Sequence, residues 1–221
     1  MSQKVLVIGG IGSGTVIAQA LIDAQLKGDN RLEFVGFIND KAEPGELLQG
    51  FPVIAKQNKE NIKLYSEKGY KFLYSLHRTD NGKEFVDLFS ELGLSTKNSA
   101  TFVHPTAYVA SDVEILPGVV IMPYAMISSY AKLGLNALIM TGATIGHNTQ
   151  LGDFNHIASQ AVVGAHLKFG TGVHIGLNAC VREYLTIGDY STVGMGAVLT
   201  KNMGNNEIWA GNPARFLRMA K

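Results

Sequence analysis

Val120-Ile121-Met122-Pro123-Tyr124-Ala125, Met126-Ile127-Ser128-Ser129-Tyr130-Ala131, Lys132-Leu133-Gly134-Leu135-Asn136-Ala137: three hexads in succession, each with an aliphatic residue second and alanine last. The same beat runs through Val103, Val109, Ile115, Ile121, Ile127, Leu133, Ile139, Ile145, Leu151, Ile157, Val163, Phe169, Ile175, Val181, Ile187, Val193 and Leu199, seventeen positions without a miss. Four residues after each stands mostly something small, as at Ala107, Ala143, Thr149, Ala161, Ala179, Ser191 and Ala197. A period of six is neither 3.6 nor a bare 2, so neither an amphipathic helix nor a plain hairpin explains it. It is the signature of a hexapeptide parallel β-helix, in which each short strand buries one residue and then turns. Three strands close a triangular coil, and coils stack at roughly 4.8 Å. Such a stack needs caps at both ends. The N-terminal half covers one, and the segment from Asn205 onwards, with Trp209 as a plug, covers the other.

Outward from the array, residues 1–100 follow a different grammar. Val5–Ile8 reads as a buried strand, Gly9 to Gly14 as a tight turn, and Thr15–Leu26 has helical spacing. Leu32–Ile38 is a second strand ending at Asn39-Asp40. A loop carrying Pro44, Gly45, Gly50 and Pro52 follows. Then come a helix near Gln57–Lys68, a strand Lys71–Leu76 and a helix Gly82–Leu92. Alternating strands and helices imply a small parallel sheet of βαβ type. The polar stretch Gly93–Ser99 reads as a hinge to the array, residues 101–221.

Composition sets limits. A chain of 221 residues that is 46% hydrophobic and 17% charged is ordinary globular material. A formal net charge of +1 and the absence of Lys/Arg runs argue against nucleic acid or an anionic membrane as partner. The single cysteine, Cys180, cannot pair within the chain and fits a reducing cytoplasm. Beside an inward hexad position, it is expected to be buried and inert. The N-terminal apolar run is too short for a signal peptide, and no 18-residue apolar stretch follows.

Two local features bear on chemistry. The turn G-G-x-G-x-G follows a strand and opens a helix, the context in which backbone N–H groups hold phosphate, although a plain strand-to-helix turn has the same look. With about three strands, the sheet suits one nucleotide or a nucleotide-sugar better than a whole dinucleotide. Asn39-Asp40 is placed to meet a ribose or base edge. Among the histidines, His147 falls at a corner of its hexad, as a site residue or an ordinary polar turn residue would. His156 and His174, eighteen apart, stack on one face as a surface ladder or a metal pair. No two β-helix histidines are five apart, which argues against the His-x₄-His zinc pattern. His104 and His166 read as structural. His77-Arg78 reads as a phosphate contact or a solvated loop.

The residues Ile8-Gly9-Gly10-Ile11-Gly12-Ser13-Gly14, Gly36-Phe37-Ile38-Asn39-Asp40, Gly50-Phe51-Pro52-Val53, Val120-Ile121-Met122-Pro123-Tyr124, Gly146-His147-Asn148, Gly152-Asp153-Phe154-Asn155-His156 and Gly211-Asn212-Pro213-Ala214-Arg215 carry a resemblance. Along nearly its whole length the chain resembles the bacterial nucleotide-amino-sugar N-acetyltransferases, grouped with sialic acid O-acetyltransferases. The resemblance implies a Rossmann-like nucleotide-sugar-binding domain followed by a left-handed β-helix with a C-terminal cap, in a homotrimer. It implies acetyl-CoA as co-substrate without a metal, and a nucleotide-linked amino sugar, such as an NDP-4-amino-4,6-dideoxyhexose, as acceptor. It makes His147 the catalytic base, with Asn148 beside it. His156, Leu177, Gly194 and Met195 match donor-binding positions, and Gly12, Ser13, Asn39 and Asp40 match nucleotide-sugar contacts.

The chain also departs from that pattern. Members commonly carry an acid after the catalytic histidine, where this chain has Asn148. An amide holds the ring but offers no charge to favour an imidazolium. Ser13-Gly14 replaces a common His-Gly, and Met140-Thr141-Gly142 replaces Asn-Thr-Gly or Asn-Ser-Ser. Two alternatives stay open at this level: a sugar O-acetyltransferase, and a non-catalytic trimeric scaffold that binds sugar nucleotides.

Overall fold

The computed structural model describes residues 2–77 and 79–220. The N-terminal part holds β1 (Gln3–Ile8), α1 (Ser13–Leu26), β2 (Leu32–Asn39), β3 (Leu47–Leu48), β4 (Phe51–Lys56), α2 (Lys59–Glu67), β5 (Lys71–Tyr74) and α3 (Gly82–Glu91). The strands form one sheet in the order β3-β4-β2-β1-β5, parallel except for the β3–β4 pair. Two expectations need correction. The segment read as a Pro/Gly loop contains β3 and β4, so the described sheet has five strands and not about three. Pro52 is the second residue of β4, near its start, where a missing N–H is tolerated. The supposed hinge is pinned as well. Ser99 bridges to Phe72 of β5, and the Phe72 N–H donates to Asn98 O at 2.8 Å.

From Phe102–Val103 to Val198–Leu199 the chain forms β6 to β22, seventeen strands of two residues each. The second residue of each is the expected hexad apolar residue, aliphatic in every strand but the one that ends at Phe169. Every third strand pairs in parallel, so three stacked sheets make the sides of a prism, an arrangement that fits a left-handed β-helix. Ile121, Ile139, Ile157, Ile175 and Val193 stack in register up one inner wall. The small residues Ala125, Ala131, Ala143, Ala161 and Ala179 fill the corners of the same core. Thr149, Asn155 and Ser191 also point inward, and each donates to a backbone carbonyl, at Gly164, Gly170 and Gly204 respectively. These donors therefore need not reach water, while Asn155 Oδ1 is buried without a partner among the described residues. The corners adopt positive φ with period six, for example Tyr130 (58°), Asn148 (59°), His166 (56°) and Tyr184 (61°). Such backbone is uncommon outside glycine and asparagine. Here the hydrogen-bonded coils on either side impose it.

The outer residues of the three sides differ. Phe102, Val120 and Leu138 are buried in one cluster with Val5, Ile17 and Phe37, so the N-terminal sheet and α1 cover the first side. The second side bears Tyr108, Met126 and Val162, all exposed, and with them Cys180. Cys180 thus corrects a further expectation. Alternation along the strand turns Val181 inward and the residue before it outward. The third side is polar, with Lys132 and Glu114 paired at 2.9 Å. At the C-terminal end β23 (Glu207–Ala210) joins the stack and β24 (Arg215–Met219) folds back on it, while Trp209 packs against the prism core. None of the described helices is long and apolar enough to cross a membrane.

Ile157 is fully buried in the inner wall, so Ile157→Ala should cost ~2–5 kcal/mol. The outward Gln150→Ala should stay within about 0.5 kcal/mol. Urea denaturation of both variants checks this, and similar losses would contradict the inward register.

Candidate active site

The prism corner after the first side carries a groove of about 480 Å³. Ser13, His156, Leu177, Gly194 and Met195 line it, with Met140 and Thr79 at its edge. Leu177 and Met195 are exposed there and form an apolar wall. Ser13 begins α1 directly after Gly12, whose φ of 107° lies where a side chain would be strained and which provides no side-chain cap. Thr15 N–H donates to Gly10 O at 3.1 Å, so among the first-turn donors it is the N–H groups of Ser13 and Gly14 that keep capacity for an acceptor or anion. Asn39 behaves differently from a free contact. It is buried, its Nδ2 donates to Gly9 O at 2.9 Å, and its Oδ1 accepts from the N–H groups of Lys41 and Ala42 at 2.9 and 2.7 Å. It braces the Gly-rich turn. Asp40, next to it, is exposed.

At one end of the groove three imidazoles pack together. His156 and His174 are direct partners on adjacent coils and meet Nδ1 to Nδ1 at 3.0 Å. His77, from the loop after β5, lies over His156 with ring centroids 4.8 Å apart and planes at 30°. The Nε2 atoms of His77 and His156 are buried without partners among the described residues. Desolvation disfavours the charged ring. Burial pushes His77 down to about 3, with His174 adding to it, and pushes His174 down to about 4. His156 is held well below its ordinary value by burial and then by its two neighbours. The loop above is tied down on its far side: Thr192 Oγ1 donates to Thr79 O at 2.5 Å, and Arg218 pairs with Asp80 at 2.7 Å. The eighteen-residue spacing makes the His156–His174 stack legible in the sequence. Nothing local marks His77 as its third member, and Arg78, named with it as a phosphate contact, lies outside the described residues. Among the described residues no group of three His, Cys, Asp or Glu side chains is arranged to hold a metal ion.

His147 sits on another corner, between the second and third sides, and is exposed. Its Nδ1 meets Asn148 Oδ1 at 2.8 Å. An amide oxygen only accepts, so this contact protonates Nδ1 and leaves Nε2 with a free lone pair. The ring stands edge-on to His166 at 5.0 Å, and His166 stacks on Tyr184. Gly146 precedes it because the next coil passes so close: a Cβ there would lie 2.5 Å from Gly164. Within one chain, then, Ser13, His156, Leu177, Gly194 and Met195 share a groove. His147 and Asn148 do not border it, nor do Gly12, Asn39 and Asp40.

No protein-family model and no curated protein sequence matches the chain. Solved structures do. The acetyltransferase domain of PglB from Neisseria gonorrhoeae, in complex with acetyl coenzyme A, is 28% identical over 98% of this chain and 100% of its own, with a TM-score of 0.81. A mutant perosamine N-acetyltransferase from Caulobacter crescentus, with CoA and GDP-perosamine, is 23% identical over 97% of both chains at 0.81. WeeI from Acinetobacter baumannii, at 22% identity, covers 97% of this chain at 0.77. In fold, and at 28% identity in sequence, the chain is similar to an acetyltransferase of the hexapeptide-repeat kind. The likeness to the perosamine N-acetyltransferase and to WeeI, at 23% and 22% identity, is one of fold.

The buried imidazoles carry a pH signature. Below about pH 6.5 the histidines of an unfolded chain take up protons, while His77 and His174 stay neutral in the fold until about pH 3 and about pH 4. The unfolded state then binds more protons, so this contribution is complete above pH 6.5 and is lost as pH falls through that window. His77→Phe keeps a ring over His156 without the titration and should flatten the decline. Urea midpoints at pH 7.5 and pH 5 for both proteins test it, and equal declines would refute the assignment.

Proposed function

We propose that the protein transfers an acetyl group from acetyl-CoA to the amine of a nucleotide-linked amino sugar, an NDP-4-amino-4,6-dideoxyhexose, as a cytoplasmic homotrimer. In this reading residues 1–100 are a Rossmann-like unit that holds the nucleotide sugar through Gly12, Ser13 and Asp40, with Asn39 shaping the turn. Residues 101–221 are a left-handed β-helix with its cap, and hold the donor along His156, Leu177, Gly194 and Met195. The observation that carries the proposal is the groove itself, in which the uncapped start of α1 meets an apolar β-helix corner. An anionic group suits the first and a pantetheine-like chain suits the second. The molecules bound in the two acetyltransferase neighbours, acetyl coenzyme A in one and CoA with GDP-perosamine in the other, support the same pairing.

The chemistry follows from the two corners. Attack on a thioester requires a neutral amine. The free Nε2 of His147 takes the amine proton as the C–N bond forms, and passes it to the departing thiolate as the C–S bond breaks. Because His147 lies on a different corner from the groove, a neighbouring copy supplies it. The uncovered apolar side with Tyr108, Met126 and Val162 supports contact between copies.

His147→Ala should lower kcat/KM by ~10²–10⁴. At high pH, where an amine acceptor loses its own proton, activity should partly return; a hydroxyl acceptor would show no such recovery. Co-expression of His147→Ala with Leu177→Arg, each strongly impaired alone at pH 7, should raise turnover well above either variant through interfaces that combine an intact groove with an intact His147. Thiol release from acetyl-CoA reads both experiments. No restoration in mixed oligomers would refute the shared site, and no thiol release by the parent protein with any nucleotide amino sugar would refute the activity.

A further inference from the structure

The contact between His156 and His174 restricts where their protons lie. Two neutral rings joined Nδ1 to Nδ1 at 3.0 Å need one N–H and one lone pair between them. Either His156 donates and its Nε2 is bare, or His174 donates and His156 carries its proton on Nε2. His156 Nε2 is buried and has no partner among the described residues, in a ring that lines the groove, so its bonding capacity is open to a group from outside the chain. A thioester presents a carbonyl oxygen and a sulfur, both acceptors. A bare Nε2 would repel them; an Nε2–H would hold them.

We propose that His174 is a positioning residue: its Nδ1–H donates to His156 Nδ1 and so fixes the tautomer in which His156 offers Nε2–H to the thioester of the acyl donor. The inference rests on the reading of the groove as the donor site. During acyl transfer negative charge grows on the thioester oxygen, so that hydrogen bond strengthens in the transition state. His77 completes the device by covering His156 at 4.8 Å and keeping water from it. Burial keeps the three rings neutral. Neutrality of His156 is what the bond requires, because a protonated His156 would donate from both nitrogens and leave no Nδ1 lone pair to accept from His174. The eighteen-residue coil sets the partnership, since positions 156 and 174 are direct neighbours across the ladder.

The test uses the whole protein labelled with ¹⁵N-histidine. Two-bond ¹H–¹⁵N spectra at pH 7 should show His156 protonated at Nε2 and His174 at Nδ1. His174→Leu should release the His156 ring and average its two nitrogens. It should lower kcat at saturating acetyl-CoA about tenfold, less than the loss of a whole oxyanion donor because His156 remains. His174→Asn places an amide N–H where the Nδ1–H was and should recover to within about threefold of the parent. A purely space-filling role would make Leu the better replacement. His156 protonated at Nδ1, or Leu and Asn variants equally active, overturns the proposal. The spectra do not depend on turnover. An inactive parent with the expected tautomers would sink the acyl-transfer reading while supporting the tautomer assignment, and an active parent with the opposite tautomers would sink this inference alone.

Discussion

Backbone ladders between coils eighteen residues apart dominate this structure. Each two-residue strand donates to the coil above and accepts from the coil below, and in doing so turns one aliphatic side chain into a narrow prism. The interior holds one apolar residue per side and, at most corners, a small one, with Val119, Leu167, Val173 and Leu185 as larger corner residues, and it is closely packed, which is why a miss in the hexad beat would be costly. The corner residues at positive φ are held there by the ladders on both sides. A local cost is thereby met by a repeating, nearly rigid frame.

That frame sorts side chains into columns, and the columns explain the site. Residues eighteen apart face the same way at one coil spacing, so His174 stands over His156, and Tyr184 over His166. Glycines in successive coils, Gly146 below Gly164, let the backbones close up just before His147 and hold that ring at a defined height on its corner. The N-terminal sheet adds the other components. It covers the first side of the prism, brings Ser13 to the groove, and lowers His77 onto the histidine column.

The two histidine environments are opposite in kind. His156, His174 and His77 are desolvated and kept neutral, a state suited to one-directional hydrogen bonding. His147 is exposed, with its Nδ1 engaged by an amide that tolerates the left-handed corner at position 148. A glutamate at that corner, where φ is 59°, would carry more backbone strain than asparagine. The departure from the family pattern therefore sits at a place where backbone conformation and side-chain chemistry compete.

Periodicity alone determined the β-helix, its seventeen strands, their inward residues and the stacking of His156 on His174, because a ladder with a constant repeat converts sequence distance into spatial distance. The β1–α1–β2 unit was legible for a similar reason, each element being coded by its own spacing. Tertiary structure decided the rest. Pro52 concealed β4, whose strand character depends on pairing with β2, and Asn39 turned from a candidate contact into a brace once Gly9, Lys41 and Ala42 surrounded it. Cys180 moved to the outside because one residue of register exchanges the two faces of a strand. The meeting of Ser13 and His77 with the β-helix column, and the separation of His147 from it by a prism corner, arise from packing between segments far apart in the chain, and no local pattern encodes such contacts.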